Sequence, residues 1–100
     1  MLKDHEDKIL SDAVRVYGMD AQIDMLTEEC AELIQAICKY KRRPSDDTRD
    51  KVEEEIADVQ IMIEQMLLFF NVYSVLEWRE LKLMRLEARI AKSEKDGDAK

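Results

Sequence analysis

The sequence predicts an all-α protein, an antiparallel bundle of about four helices that associates with copies of itself. Three observations carry this. Apolar residues recur at helical spacing along most of the chain, and no stretch alternates as a half-buried strand would. The only clear loop is Pro44–Thr48. The helix expected after that loop is apolar over more than one face, with Ile61 and Leu68 roughly opposite the Val59–Met66 side. Two apolar faces in so small a chain point to a subunit interface.

A first helix is expected over about 3–17, with Ile9, Ala13, Val14 and Tyr17 as its stripe. Asp4, Glu6 and Asp7 suit its positive N-terminal end, and Gly18 is placed to stop it. A second helix runs from about Asp20, a suitable N-cap, to about Arg42. Lys39, Lys41, Arg42 and Arg43 crowd its end, where cations complement the helix dipole and where one or two can also meet phosphate oxygens. Pro44 ends that helix. Ser45, Asp46, Asp47 or Thr48 then caps a third over about 48–71, and Asn71–Ser74 reads as a break. The last helix, about 75–94, has Leu76, Leu83, Leu86 and Ile90 as its buried seam. Lys82, Arg85, Arg89 and Lys92 form a basic stripe along it, suited to bridging Glu77, Glu80 and Glu87 or to binding an anion. The expected organisation is one domain over 1–92 and a disordered tail over 93–100.

Composition narrows the partners. A net charge of −7 lacks the basic footprint that a nucleic-acid backbone requires, yet a bound metal can neutralise a nucleotide locally. Cys30 and Cys38 are eight residues apart on one expected helix. That is roughly 12 Å, too far for a disulfide. Reduced core cysteines are consistent with a cytoplasmic chain. The single histidine, His5, lies in an acidic first turn and reads as solvated surface. It also rules out a di-iron carboxylate bundle, which needs paired Glu-x-x-His motifs. The N-terminus has no signal-peptide pattern. The most apolar stretch, 61–73, is broken by Glu64, Gln65 and Asn71 and is too short to span a bilayer, so no membrane partner is expected.

The chemistry concentrates between Thr27 and Asp58. Glu28 and Glu29 lie four and three residues before Glu32, and Glu55 lies three before Asp58, so each cluster shares a helix face. At about 100° per residue, Leu26, Cys30, Leu33, Ile34 and Ile37 mark the buried side of the second helix. Glu29 then projects inside the flank of that side, Glu32 lies close to Met25 and Ala36, and Glu28 sits further out. On the third helix Val52, Ile56, Val59, Ile63, Met66 and Phe70 mark the core. Glu55 falls between Met62 and Met66 within that arc, with Asp58 at its edge. Buried carboxylates are costly unless paired or coordinated. The nearest basic residue to Glu55 is Lys51, placed toward an expected frayed helix start. Two acidic helix faces that meet therefore suit a divalent cation, and Mg²⁺ prefers such oxygen ligands.

Glu28-Glu29-Cys30-Ala31-Glu32 followed by Glu55-Ile56-Ala57-Asp58 resembles the EExxE…ExxD signature of the MazG-like all-α nucleoside triphosphate pyrophosphohydrolases. The similarity extends from Tyr17-Gly18 through Gln22 and on to Lys82 and Arg85, most of the chain. It implies Mg²⁺-dependent hydrolysis of a (deoxy)nucleoside triphosphate to the monophosphate and pyrophosphate, with Mn²⁺ as a substitute ion. The catalytic set would be Glu28, Glu29, Glu32, Glu55 and Asp58, with Glu29, Glu32, Glu55 and Asp58 as metal ligands. Glu28 would orient water, act as a base, or simply be solvated. Lys82 and Arg85 would meet phosphates, and Gln22 is a candidate contact to base or sugar. The expected assembly is a homo-oligomer, dimer or tetramer. Without the resemblance, the residues reach only an acidic divalent-metal site. The competing reading is a non-catalytic helical interaction module, which the two-faced third helix supports equally.

Overall fold

The computed structural model describes residues 2–98. Four helices account for nearly all of them: α1 (Leu2–Tyr17), α2 (Met19–Arg42), α3 (Asp46–Met66) and α4 (Val72–Asp98), with no strand among the described residues. The all-α class is as expected. The chain divides into two compact units, Met1–Phe70 and Asn71–Lys100, the boundary falling inside the stretch read as one domain.

In the first unit α2 and α3 form the principal pair, joined by three residues and hence antiparallel, and α1 lies against both. Gly18 separates α1 from α2 at φ +90°, a backbone conformation strained for any residue with a Cβ. Its amide donates to the Val14 carbonyl at 2.8 Å, closing α1. The expected N-cap, Asp20, lies instead in the first turn of α2, because Gly18 starts the helix two residues earlier. There its charge still suits the helix dipole.

The start of α3 is more ordered than its sequence suggests. Ser45 Oγ accepts the Thr48 amide at 3.1 Å while Thr48 Oγ1 accepts the Ser45 amide at 3.0 Å, a reciprocal capping box. Thr48 Oγ1 also donates to the Arg43 carbonyl at 2.9 Å, tying the loop to the helix. α3 ends at Met66, five residues before the expected Asn71, in a turn that brings the Phe69 and Phe70 rings to 5.7 Å.

The core of this unit is built from Leu10 of α1, Ala36 of α2, and Val59, Met62 and Met66 of α3. This differs from the expected core. Ile34 and Ile37 on α2, and Ile56, Ile63 and Phe70 on α3, are exposed, Ile34 by 63% and Ile63 by 47%. On both helices the buried face is turned by roughly 50° from the most apolar arc, toward the carboxylate side. The small Ala36 and the flexible Met62 and Met66 let the backbones approach there, whereas branched isoleucines would hold them apart.

The second unit is α4. Asn71 caps it: Oδ1 accepts the amides of Tyr73 and Ser74 at 3.0 and 3.1 Å, so the helix starts at Val72 rather than 75. Its described residues from Tyr73 onward are exposed, including Leu76, Leu83, Leu86 and Ile90, the expected seam. Residues 93–98, expected to be disordered, continue the helix, and 99–100 of that tail lie outside the described residues. Ala, Lys and Glu dominate the turns leading into this segment and are good helix formers. No helix is long and apolar enough to cross a membrane among the described residues, and both cysteines are free.

Candidate metal centre

The rotation of α2 and α3 brings their acidic flanks together. Ligand oxygens of Glu29 and Glu32 on α2 and of Glu55 on α3 lie within 4.8 Å of one another. A second overlapping group, Glu54, Glu55 and Asp58, meets the same limit. Glu55 belongs to both groups and is the most buried side chain of the described residues, 2% exposed. Opposed ligands of an octahedral Mg²⁺ stand about 4 Å apart, comparable to the spacing within either group.

Acidic groups gather on helices without a metal, and what singles out this cluster is the burial of Glu55 at its centre, with Glu29 and Asp58 half-buried and Glu32 and Glu54 exposed. Glu55 Oε2 and Glu29 Oε2 are enclosed by protein with no hydrogen-bond partner. An enclosed carboxylate oxygen lacking a donor is strongly disfavoured, and coordination removes that penalty. The other Glu55 oxygen is engaged: Lys51 Nζ stands 3.0 Å from Oε1 and 3.5 Å from Glu54 Oε2. Here the structure corrects the sequence reading, which left Glu55 without a basic partner. The capping box removes the expected fraying and holds Lys51 one turn before Glu55 on the same face.

The electrostatics mark Glu29. Burial, then the charges of Glu32, Asp58 and Glu55, push its carboxyl above the ordinary value of 4.5. In metal-free protein the folded state therefore holds this proton at pH values where the unfolded chain has released it. Stability contributed by the site falls as pH rises from 4.5 through the raised pKa, and the deficit persists above it. Thermal melts in a chelator between pH 4.5 and 8 should show this decline in the wild type, and Glu29→Gln should reduce it. A matching decline in both proteins counts against the assignment.

The remaining site expectations divide. Glu28 is exposed on α2 and outside both oxygen groups, as its outer position implied. Gln22 is buried at 7%, two turns before Glu29. Gln65, seven residues after Asp58, is 4% exposed, with Oε1 lacking a partner. In an antiparallel pair those two displacements run the same way. Sequence reasoning missed Gln65, although its position three residues past Met62 was the available signal. Lys82 and Arg85 share an exposed face of α4 with Arg89, within the second unit. Of the cations at the end of α2, Lys39 lines an open cleft of about 350 Å³ together with Glu32, Gln35, Ala36, Lys51 and Glu55. Comparisons with models of protein families, with curated proteins and with solved structures give no match.

Proposed function

We propose that this chain is a divalent-metal-dependent hydrolase that cleaves a nucleoside triphosphate to the monophosphate and pyrophosphate. The observation that carries the metal site is Glu55, enclosed in the core with an unpartnered oxygen and facing Glu29 and Glu32 across two helices. The reaction itself is inferred from the EECAE and EIAD motifs that supply those residues. Glu29, Glu32, Glu55 and Asp58 would hold Mg²⁺ or Mn²⁺. Such an ion, when bound, neutralises phosphate charge and lowers the pKa of a coordinated water. The chain's own groups divide the remaining tasks. Glu28, exposed on α2 next to Glu29, is proposed to orient or deprotonate the attacking water. Lys39, which lines the same cleft as Glu32, offers charge to the phosphate chain, and Lys82 and Arg85 are proposed phosphate contacts on the resemblance alone. Gln22 is proposed to meet the base or sugar.

A panel of nucleoside triphosphates, assayed for pyrophosphate release with and without Mg²⁺, tests this reading. Saturable metal binding with release from at least one nucleotide is the expected result. The alternative of a non-catalytic helical module draws on the exposed isoleucines of α2 and α3, and it expects no saturable Mg²⁺ or Mn²⁺ uptake.

The assembly proposed is a homo-oligomer, dimer or tetramer. Ile61 on α3 and Leu68 in the turn that follows it are both nearly half exposed, so the second apolar stripe expected on one helix is shared between helix and turn. Leu68→Lys should weaken association more than Glu64→Lys. Light scattering that finds a monomer throughout the micromolar range would rule the proposal out.

A further inference from the structure

We infer that Lys51 is a displaceable counter-ion, holding Glu55 until a divalent cation takes its place and then binding, with Lys39, the anionic end of the ligand. This rests on the metal-dependent reading above. Its basis is separate: the 3.0 Å pair between Lys51 and Glu55, and the cleft that both residues line.

The two ends of the pair have opposite environments. Glu55 is 2% exposed, whereas the Lys51 side chain is 55% exposed and lines the cleft. The pair satisfies only one Glu55 oxygen; Oε2 stays enclosed and unpartnered. An ammonium donates along single hydrogen bonds, whereas oxygens of Glu29, Glu32 and Glu55, within 4.8 Å of one another, could together hold a divalent cation. A divalent cation on the free Oε2 would repel the nearby Lys51 ammonium and weaken its hold on Oε1, so the two cations oppose one another at Glu55. The displaced side chain needs no rebuilding of the helix, because it is long, flexible and mostly in solvent.

The cleft defines where the released charge acts. It is lined by Glu32, Ala36 and Lys39 of α2 and by Lys51 and Glu55 of α3. Gln35 adds a neutral amide to the same wall. With Lys51 paired to Glu55, the carboxylates leave the cleft poor in free positive charge. After displacement, two ammonium groups from facing helices border a cavity of about 350 Å³, beside the cation. Phosphate or pyrophosphate oxygens suit that arrangement. The two ligands thus assist one another: the cation frees Lys51 for the anion, and the anion holds Lys51 away from Glu55. Such linkage is reciprocal.

The test compares wild type, Lys51→Met and Lys39→Met by calorimetry, using Mn²⁺ alone and then inorganic pyrophosphate at saturating Mn²⁺. Circular dichroism first establishes equal helix content. Lys51→Met should bind Mn²⁺ alone more tightly, by about threefold to tenfold, since its competitor is gone, while pyrophosphate affinity falls about tenfold. Lys39→Met should lower pyrophosphate affinity to a similar degree. The opposed signs in Lys51→Met distinguish exchange from a structural role, which predicts weaker Mn²⁺ binding because Glu55 loses its support. Weaker Mn²⁺ binding in Lys51→Met, or pyrophosphate affinity indifferent to both lysines, overturns the inference and leaves the metal site standing. A wild type that takes up no Mn²⁺ overturns the metal-dependent reading and this inference with it.

Discussion

Glu55→Gln is expected to abolish hydrolysis while leaving the metal-free protein as stable as wild type, or slightly more so. The substitution keeps the side chain's shape and removes the one charge common to both oxygen groups. Loss of a metal-bound carboxylate removes several kcal/mol of transition-state stabilisation, about 10³-fold in rate. Mg²⁺ affinity should fall in parallel. Without metal the balance differs. Glu55 is enclosed beside Glu29 and Glu32, and its partner Lys51 is more than half exposed and regains water when released. A partly solvated ion pair stabilises little, so removing repulsion offsets its loss. Glu53→Gln, on an exposed position of α3, is the control and should change neither property. Pyrophosphate-release rates, metal titration and metal-free melts check the result. Near-wild-type turnover in Glu55→Gln would refute the site, as would an unfolded metal-free protein with unchanged Mg²⁺ affinity.

Met62→Ala is expected to destabilise the first unit by about 3 kcal/mol, since a buried Met→Ala change leaves a cavity that surrounding atoms fill only in part. The side chain is 6% exposed and belongs to a core with few large members. In a domain stabilised by roughly 5–15 kcal/mol, such a loss lowers the melting temperature by more than about 10 °C. Because Met62 lies two turns after Glu55 on the same face, metal affinity should also suffer through the loosened helix pair. Ile63→Ala, one residue on and 47% exposed, should cost less than about 0.5 kcal/mol in a monomer. Equal effects of the two substitutions at protein concentrations where the chain is monomeric would restore the apolar arc through Ile56 and Ile63 as the core.

That comparison isolates the point at which sequence reasoning fell short. Each of α2 and α3 carries an apolar arc wider than one neighbouring helix covers, so periodicity locates the arc and leaves its centre open. Ala36, Met62 and Met66 became buried, and Ile34, Ile37, Ile56 and Ile63 were left exposed. Gln65 escaped notice for a related reason. A glutamine on the edge of an apolar arc looks solvated until the arc turns toward it.

The helix boundaries show the same division. Gly18 and Pro44 are punctuation that any chain must obey, because one permits φ +90° and the other removes an amide donor. Four helices, their order and the gathering of Glu29, Glu32, Glu55 and Asp58 on the inner flanks of two of them were therefore written in residue spacing. Local hydrogen bonds chose the remaining ends: Ser45 among four candidate caps, and Asn71 as the cap of α4. Only the tertiary structure decided how α2 and α3 turn about their axes, and with that the enclosure of Glu55 and the cleft shared with Lys39, whereas the Lys51–Glu55 pair follows from spacing along α3 once its start is capped. Spacing sets direction around one helix axis. Which direction meets protein and which meets water is a property of two helices, and it depends on side-chain volumes that no single periodicity records.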